Sequence, residues 1–175
     1  MRVDNFYSSL ANSATWLLLP EKVLRPLFGK FCMEKSSFNF GVEDASYKAA
    51  GEITGISLLV DDFYQFMDSL PEAAVIRAQH PRDLDAARRK LSYFLSGWLG
   101  GPRLYSQHFG GINIPQAHKH LPIGVSERDA WMLCMEKAIE QQPYTADFKK
   151  YLYEQLMVPA ERIRIASEKQ SMGNT

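Results

Sequence analysis

Three kinds of side chain in this sequence could do chemistry together: imidazoles, a tyrosine hydroxyl and an indole N–H. His118 and His120 lie two residues apart, just before Leu121-Pro122, and Trp131 follows a short way on. A neutral imidazole is a common ligand for zinc, copper or iron. A His-x-His pair suits one face of a strand, and no strand pattern surrounds this one, so a site using both rings is disfavoured. His120 stands just before the proline break, on a loop or a helix end, so its ring is not stacked inside a regular helix. Tyr64 and Trp131 each place a donor on an otherwise apolar helical face; the ordinary role of such a ring is a core position with its polar tip at the edge. His80 precedes Pro81, which pushes it out of the helical region to a corner, usually a solvated one.

Several other chemistries are excluded. No glycine-rich phosphate loop joins a strand to a helix, and there is no His-Glu-x-x-His or Cys-x-x-Cys. The adjacent carboxylates Glu43-Asp44 and Asp61-Asp62 would point in different directions on a helix and make no dyad. Cys32 and Cys134 are too few for a thiolate cluster or a disulfide framework.

The totals suit one domain. The chain has 175 residues, 46% apolar and 23% charged, enough for a packed core. Its formal net charge is zero, which offers no electrostatic case for nucleic acid or an anionic membrane as partner. Trp16-Leu17-Leu18-Leu19 falls well short of the roughly 20 apolar residues that span a bilayer. A cytoplasmic protein is expected.

The elements that must position these groups read as all-α. Residues 1–41, punctuated by Pro20, Pro26, Gly29 and Gly41, read as an N-terminal extension. Leu24, Leu27, Phe28 and Phe31 could form one apolar face within it, and Met33 opens a polar stretch resembling an ordinary protein start. The domain proper is expected over 42–166, with 167–175 a flexible tail. A short helix is predicted over 46–51. Ile56, Val60, Phe63, Tyr64 and Met67 mark an amphipathic helix. A turn or short helix runs from Pro71 to Gln79. The strongest helix, capped by Asp83 or Asp85, buries Ala87, Leu91, Phe94, Leu95 and Trp98 and stops at Gly100-Gly101-Pro102. Residues 103–118 show little periodicity. Ser126 and Asp129 resemble a capping box for a helix burying Ala130, Trp131, Cys134, Met135 and Ala138. Thr145 caps a last helix, and Pro159 is expected to break it before a further short turn.

Haem fits these parts. It needs an apolar slot between helices, one strong axial ligand and a distal pocket whose polarity sets its chemistry. His120 can supply the ligand, Leu91, Phe94 and Leu95 the slot, and Tyr64 and Trp131 the donors. The blocks Phe63-Tyr64, His80-Pro81, Lys90-Leu91-x-x-Phe94-Leu95-x-x-Trp98-x-Gly100-Gly101-Pro102-x-x-Tyr105, and Lys119-His120 with Glu127-Arg128-Asp129-Ala130-Trp131-x-x-Cys134-Met135 resemble the group II truncated haemoglobins over about residues 46–157. Four ordered blocks are a specific signal where one alone is not.

The resemblance implies a two-over-two helical fold enclosing haem b. It implies His120 as proximal iron ligand, and Tyr64, His80, Ala87, Leu91 and Trp131 around the distal pocket. Lys90, Phe94, Leu95, Tyr105 and Lys119 would contact the haem. The implied function is reversible binding of O2, CO or NO, supported by a reductase. The alternative is a haem enzyme, peroxidase-like or NO-detoxifying. His80 or Tyr64 could also coordinate iron when no gas is bound. The chain departs from the family pattern at Ala50-Gly51, where a glycine pair is usual, at Leu121-Pro122-Ile123, and over Phe109–Gln116, just before the histidines.

Overall fold

The computed structural model describes residues 39–173, and every described element is a helix or a turn. The expected helical face around Leu24–Phe31 and the candidate start at Met33 lie outside the described residues. In chain order the helices are α1 (Ala45–Ala49), α2 (Glu52–Ser69), a 3-10 turn (Pro71–Ala73), α3 (Ala74–Ala78), α4 (Asp85–Trp98), α5 (Leu104–Phe109), α6 (Ile114–His118), α7 (Val125–Gln141) and α8 (Ala146–Met172).

Four long helices form two pairs. α2 packs on α4, α7 packs on α8, and α2 also packs on α7. Ile56, Leu59, Val60 and Phe63 of α2 are all 0% exposed, and Met135 of α7 and Leu152 of α8 are equally buried. Full burial of side chains this size contributes about 1.5–3 kcal/mol each before entropy is counted.

The N-cap of α4 is Leu84, between the two aspartates expected to cap it. The Asp83 carboxylate accepts from the Asp85 backbone N–H at 2.9 Å, satisfying an amide at the helix start. At the other end the Ser96 hydroxyl donates to the Pro102 carbonyl at 2.8 Å. Gly100, with φ +94°, lies so close to α1 that a Cβ there would fall 1.7 Å from the Glu43 carbonyl oxygen. The glycine pair therefore does more than stop a helix: it lets the end of α4 touch the start of the domain.

Five expectations are corrected. Of the α4 stripe, only Leu95 is buried; Ala87, Leu91, Phe94 and Trp98 are half-buried, as is Trp131 on α7. Residues 103–118, expected to be irregular, hold α5 and α6. The cap of α7 is shifted two residues upstream, where the Glu127 carboxylate accepts from the Gly124 N–H at 2.8 Å; that bond chiefly holds its pKa below the ordinary value. Pro159 sits inside a continuous α8 instead of ending it. Proline removes one hydrogen bond, to the carbonyl four residues back, and Gln155 lies exposed where water can take that place. The presumed tail from Ser167 accordingly continues α8, and Ser167 is 2% exposed.

Residues just before 42 also pack on the helices. The Phe40 ring packs 5.0 Å from Phe148 and 5.1 Å from Tyr151, and the Gly41 N–H donates to the Ser46 hydroxyl at 2.8 Å.

Candidate haem site

Half-burial along one whole helical stripe needs a reason. Ala87, Leu91, Phe94 and Trp98 rest against the core without being covered, and Trp131 does the same from α7. Such a strip of apolar surface is what a flat apolar group would cover. Phe94 meets Tyr105 of α5 edge-on at 6.5 Å. Lys90 extends its ammonium to 5.6 Å from the ring of Phe109, at the exposed end of α5.

The distal residues named from sequence come together. Tyr64 lies 4.9 Å from Phe63 and 5.9 Å from His80, and Phe63 lies 5.1 Å from Trp131, ring centre to ring centre. Phe63 is the ring that lies between Tyr64 and Trp131. Neither the Tyr64 hydroxyl nor the Trp131 indole N–H meets a protein partner among the described residues. No fully enclosed polar side-chain atom among them lacks a partner. The two donors therefore open onto accessible space rather than into packed protein.

Burial pushes the Tyr64 pKa up to about 12, against the opposing pull of Arg88. The phenol is thus neutral and a hydrogen-bond donor near pH 7. Arg88 stands 5.4 Å over the Tyr64 ring and is held there by Asp61, whose carboxylate accepts its Nη1–H at 2.8 Å.

The histidines differ sharply. His118 is the last residue of α6 and half-buried, and its Nδ1 lies 2.8 Å from the Ile114 carbonyl oxygen. A carbonyl only accepts, so Nδ1 carries the proton and Nε2 keeps its lone pair. His120 lies two residues on, in the turn, and is exposed, as is Lys119. Among the described residues, no ring contact joins His118 or His120 to the aromatic cluster, so the two differ in backbone anchorage and cover alone. His80 repeats the His118 arrangement, with Nδ1 2.8 Å from the Ile76 carbonyl. It stands at the rim of a cavity of about 590 Å³ lined also by Met67, Leu70, Ala74 and Arg77.

A sequence signal for α6 was present. Asn113 with Pro115 two residues later is a helix-start pattern, and the Asn113 side chain accepts from the Gln116 N–H at 3.2 Å. That start sets the helical turn in which the ring of residue 118 can bond the carbonyl of residue 114.

A profile of the bacterial-like globins matches residues 45–164. The group 2 truncated hemoglobin YjbI of Bacillus subtilis (strain 168) is 32% identical over 120 residues, covering 69% of this chain and 88% of that protein. The chain belongs to this family, among the group II truncated haemoglobins. The solved group II 2-on-2 hemoglobin of Agrobacterium tumefaciens superposes with a TM-score of 0.65 at 34% identity, over 68% of this chain and 92% of that one. The truncated oxygen-avid haemoglobin of Bacillus subtilis gives 0.62 at 31% identity, over 67% and 97%. The two helix pairs of this truncated haemoglobin are the two-over-two globin fold expected from its blocks. The family carries haem and binds small diatomic ligands. The site passes the physical test for such a group: an uncovered apolar slot, open donors and an imidazole with a free lone pair. No helix among the described residues is long and apolar enough to cross a membrane.

Proposed function

We propose that this truncated haemoglobin binds O2, and also CO and NO, reversibly at a haem b whose iron is held by His118 Nε2 rather than by His120. The observation that carries the assignment is the Nδ1–H···O=C bond from His118 to Ile114, 2.8 Å long, on a half-buried ring. It fixes the tautomer and the ring plane, and it raises the basicity of the free nitrogen. His120 has neither the anchor nor the cover. The cofactor is b-type because no Cys-x-x-Cys-His attachment motif is present.

Haem iron supplies one open coordination position for a diatomic ligand. This chain supplies the rest. Ala87, Leu91, Phe94 and Leu95 exclude water from the slot. The Tyr64 hydroxyl and the Trp131 N–H donate to the ligand atom that gains negative charge, each worth about 1–1.5 kcal/mol net. His80, with Nδ1 committed to Ile76, packs edge-on against Tyr64 and is the third polar group on that side. Lys90, Lys119 and Tyr105 are the groups available to the propionates. Two donors together slow ligand release and raise affinity, and the Bacillus subtilis relative is described as oxygen-avid. Reversible binding needs ferrous iron, so a reductase is the partner this function calls for.

Absorption spectra of the haem-loaded protein, oxidised, reduced and under CO, test the reading. Wild type and His120→Ala should show the same Soret band and the same shifts. His118→Ala should lose them. The opposite pattern would return the ligand role to His120, and failure of wild type to take up haem would end the proposal.

A further inference from the structure

The segment after the proximal histidine is short and irregular, and its backbone polar groups need partners. Leu121 N–H donates to the His118 carbonyl at 2.9 Å, so the strap is bonded directly to the residue that carries the imidazole. Two further backbone groups of the strap end on one side chain. The Ser167 hydroxyl donates to the Leu121 carbonyl and accepts from the Ile123 N–H, the latter at 3.0 Å. Ser167 is 2% exposed, and α8 packs along α6 on the way to it. One buried hydroxyl thus satisfies a part-buried donor and a part-buried acceptor two residues apart, closing the strap onto α8.

Ser167 lies beyond residue 164, where the match to the globin family ends, and it can reach the strap only because α8 runs through Pro159 to Met172. The start of the next helix is tied to the same stretch of α8. Arg128 Nη1 donates to Glu161 Oε2 at 2.6 Å, and Arg164 Nη2 donates to Glu161 Oε1 at 2.6 Å. The strap is therefore held at its middle by Ser167 and at its far end, through α7, by Glu161.

We propose that Ser167 is a positioning residue for the proximal histidine: the far end of α8 clamps the 121–123 strap and thereby sets the orientation and tightness of the His118 ligand. The inference rests on the assignment of His118 above. A buried hydroxyl bonded to two backbone groups is a rigid attachment, because freeing the strap would leave the Leu121 carbonyl and the Ile123 amide without partners. Ligand orientation by groups that never touch the metal typically changes metal affinity by 10- to 100-fold when lost.

The test uses the full chain as wild type, Ser167→Ala, Ser167→Thr and His118→Ala. Amide exchange at Ile123 is read without haem, the iron–histidine stretching band is read in the ferrous protein, and haem loss is read with a scavenging apoprotein. Ser167→Ala should speed Ile123 exchange, shift or broaden the band, and speed haem loss about 10-fold. Ser167→Thr, which keeps the hydroxyl, should restore all three. If the band and the haem-loss rate of Ser167→Ala match wild type while His118→Ala loses the band, the clamp is overturned and the ligand assignment stands. A band that survives in His118→Ala overturns the ligand assignment whatever Ser167 does.

Discussion

The α2–α7–α8 interior and the α4–α6 side are built from the same residue types and end in different states. In the interior, aromatic and aliphatic side chains such as Phe63, Leu59 and Leu152 are 0% exposed. Along α4, the equally apolar Leu91, Phe94 and Trp98 stay half-covered. The difference lies in what each faces. α2 has a helix on two sides, whereas α4 has α2 on one side and the short α5 near its end. An apolar stripe with one missing neighbour is stable only because the rest of the domain holds it there, and it gains most when a flat apolar group completes it. The interior thus sets the stability of the fold, and the half-covered α4 stripe is the surface that the proposed haem would complete.

The comparison can be broken by equal truncations in the two regions. Leu59→Ala should cost the haem-free protein about 2–5 kcal/mol, as a cavity in a closed core does. Phe94→Ala should cost the haem-free protein less than Leu59→Ala, since its ring is only partly covered, and should instead weaken haem retention. Urea unfolding of both variants, with and without haem, measures the contrast. Equal losses without haem would mean that the slot is ordinary core.

The next effect is smaller and lies inside the slot. Tyr64→Phe and Trp131→Phe each remove one open donor and keep the ring. Each should speed O2 dissociation by about 10-fold, equivalent to about 1.4 kcal/mol. Flash photolysis or stopped-flow dissociation checks it, and an unchanged rate removes that residue from the ligand's surroundings.

The smallest effect concerns the polar rim. The Glu161 carboxyl is held down at about 2 by Arg164 and then Arg128, from an ordinary value of 4.5. A folded-state pKa below the unfolded one means the stabilisation is complete above about 4.5 and fades as pH falls toward 2. The group is solvent-exposed, so screening keeps the effect small. In Glu161→Gln, the unfolding midpoint of the haem-free protein should fall less steeply between those two values than in wild type. Identical slopes would show that the Arg128–Glu161–Arg164 tie contributes nothing to holding α7 on α8.

Periodicity made most of the long elements legible. The spacing of Ile56, Val60, Phe63 and Met67 located α2, and Thr145 located the start of α8, where its hydroxyl accepts from the Phe148 N–H at 3.3 Å. The same logic went astray at Pro159, because a proline ends a helix only where the lost bond cannot be replaced, and that depends on which side of the helix faces water. It also went astray over 103–118, where α5 and α6 are too short to show a period and only the Asn113 cap announces one of them.

The candidate site divides in the same way. Residue types and order alone determined that the chain is helical, that Tyr64, His80 and Trp131 are its polar distal candidates, and that it belongs with the group II truncated haemoglobins. Each of those depends on side-chain chemistry and local spacing. The choice between His118 and His120 did not. Position before the proline pointed to His120, and the proposal of His118 rests on α6, which gives that ring a carbonyl to bond and partial cover, while the turn gives His120 neither. Likewise no local signal marks Ser167 as more than a polar residue near the end of the chain. Its two bonds to the strap exist because tertiary packing brings residues 121 and 123 onto a helix more than forty positions away.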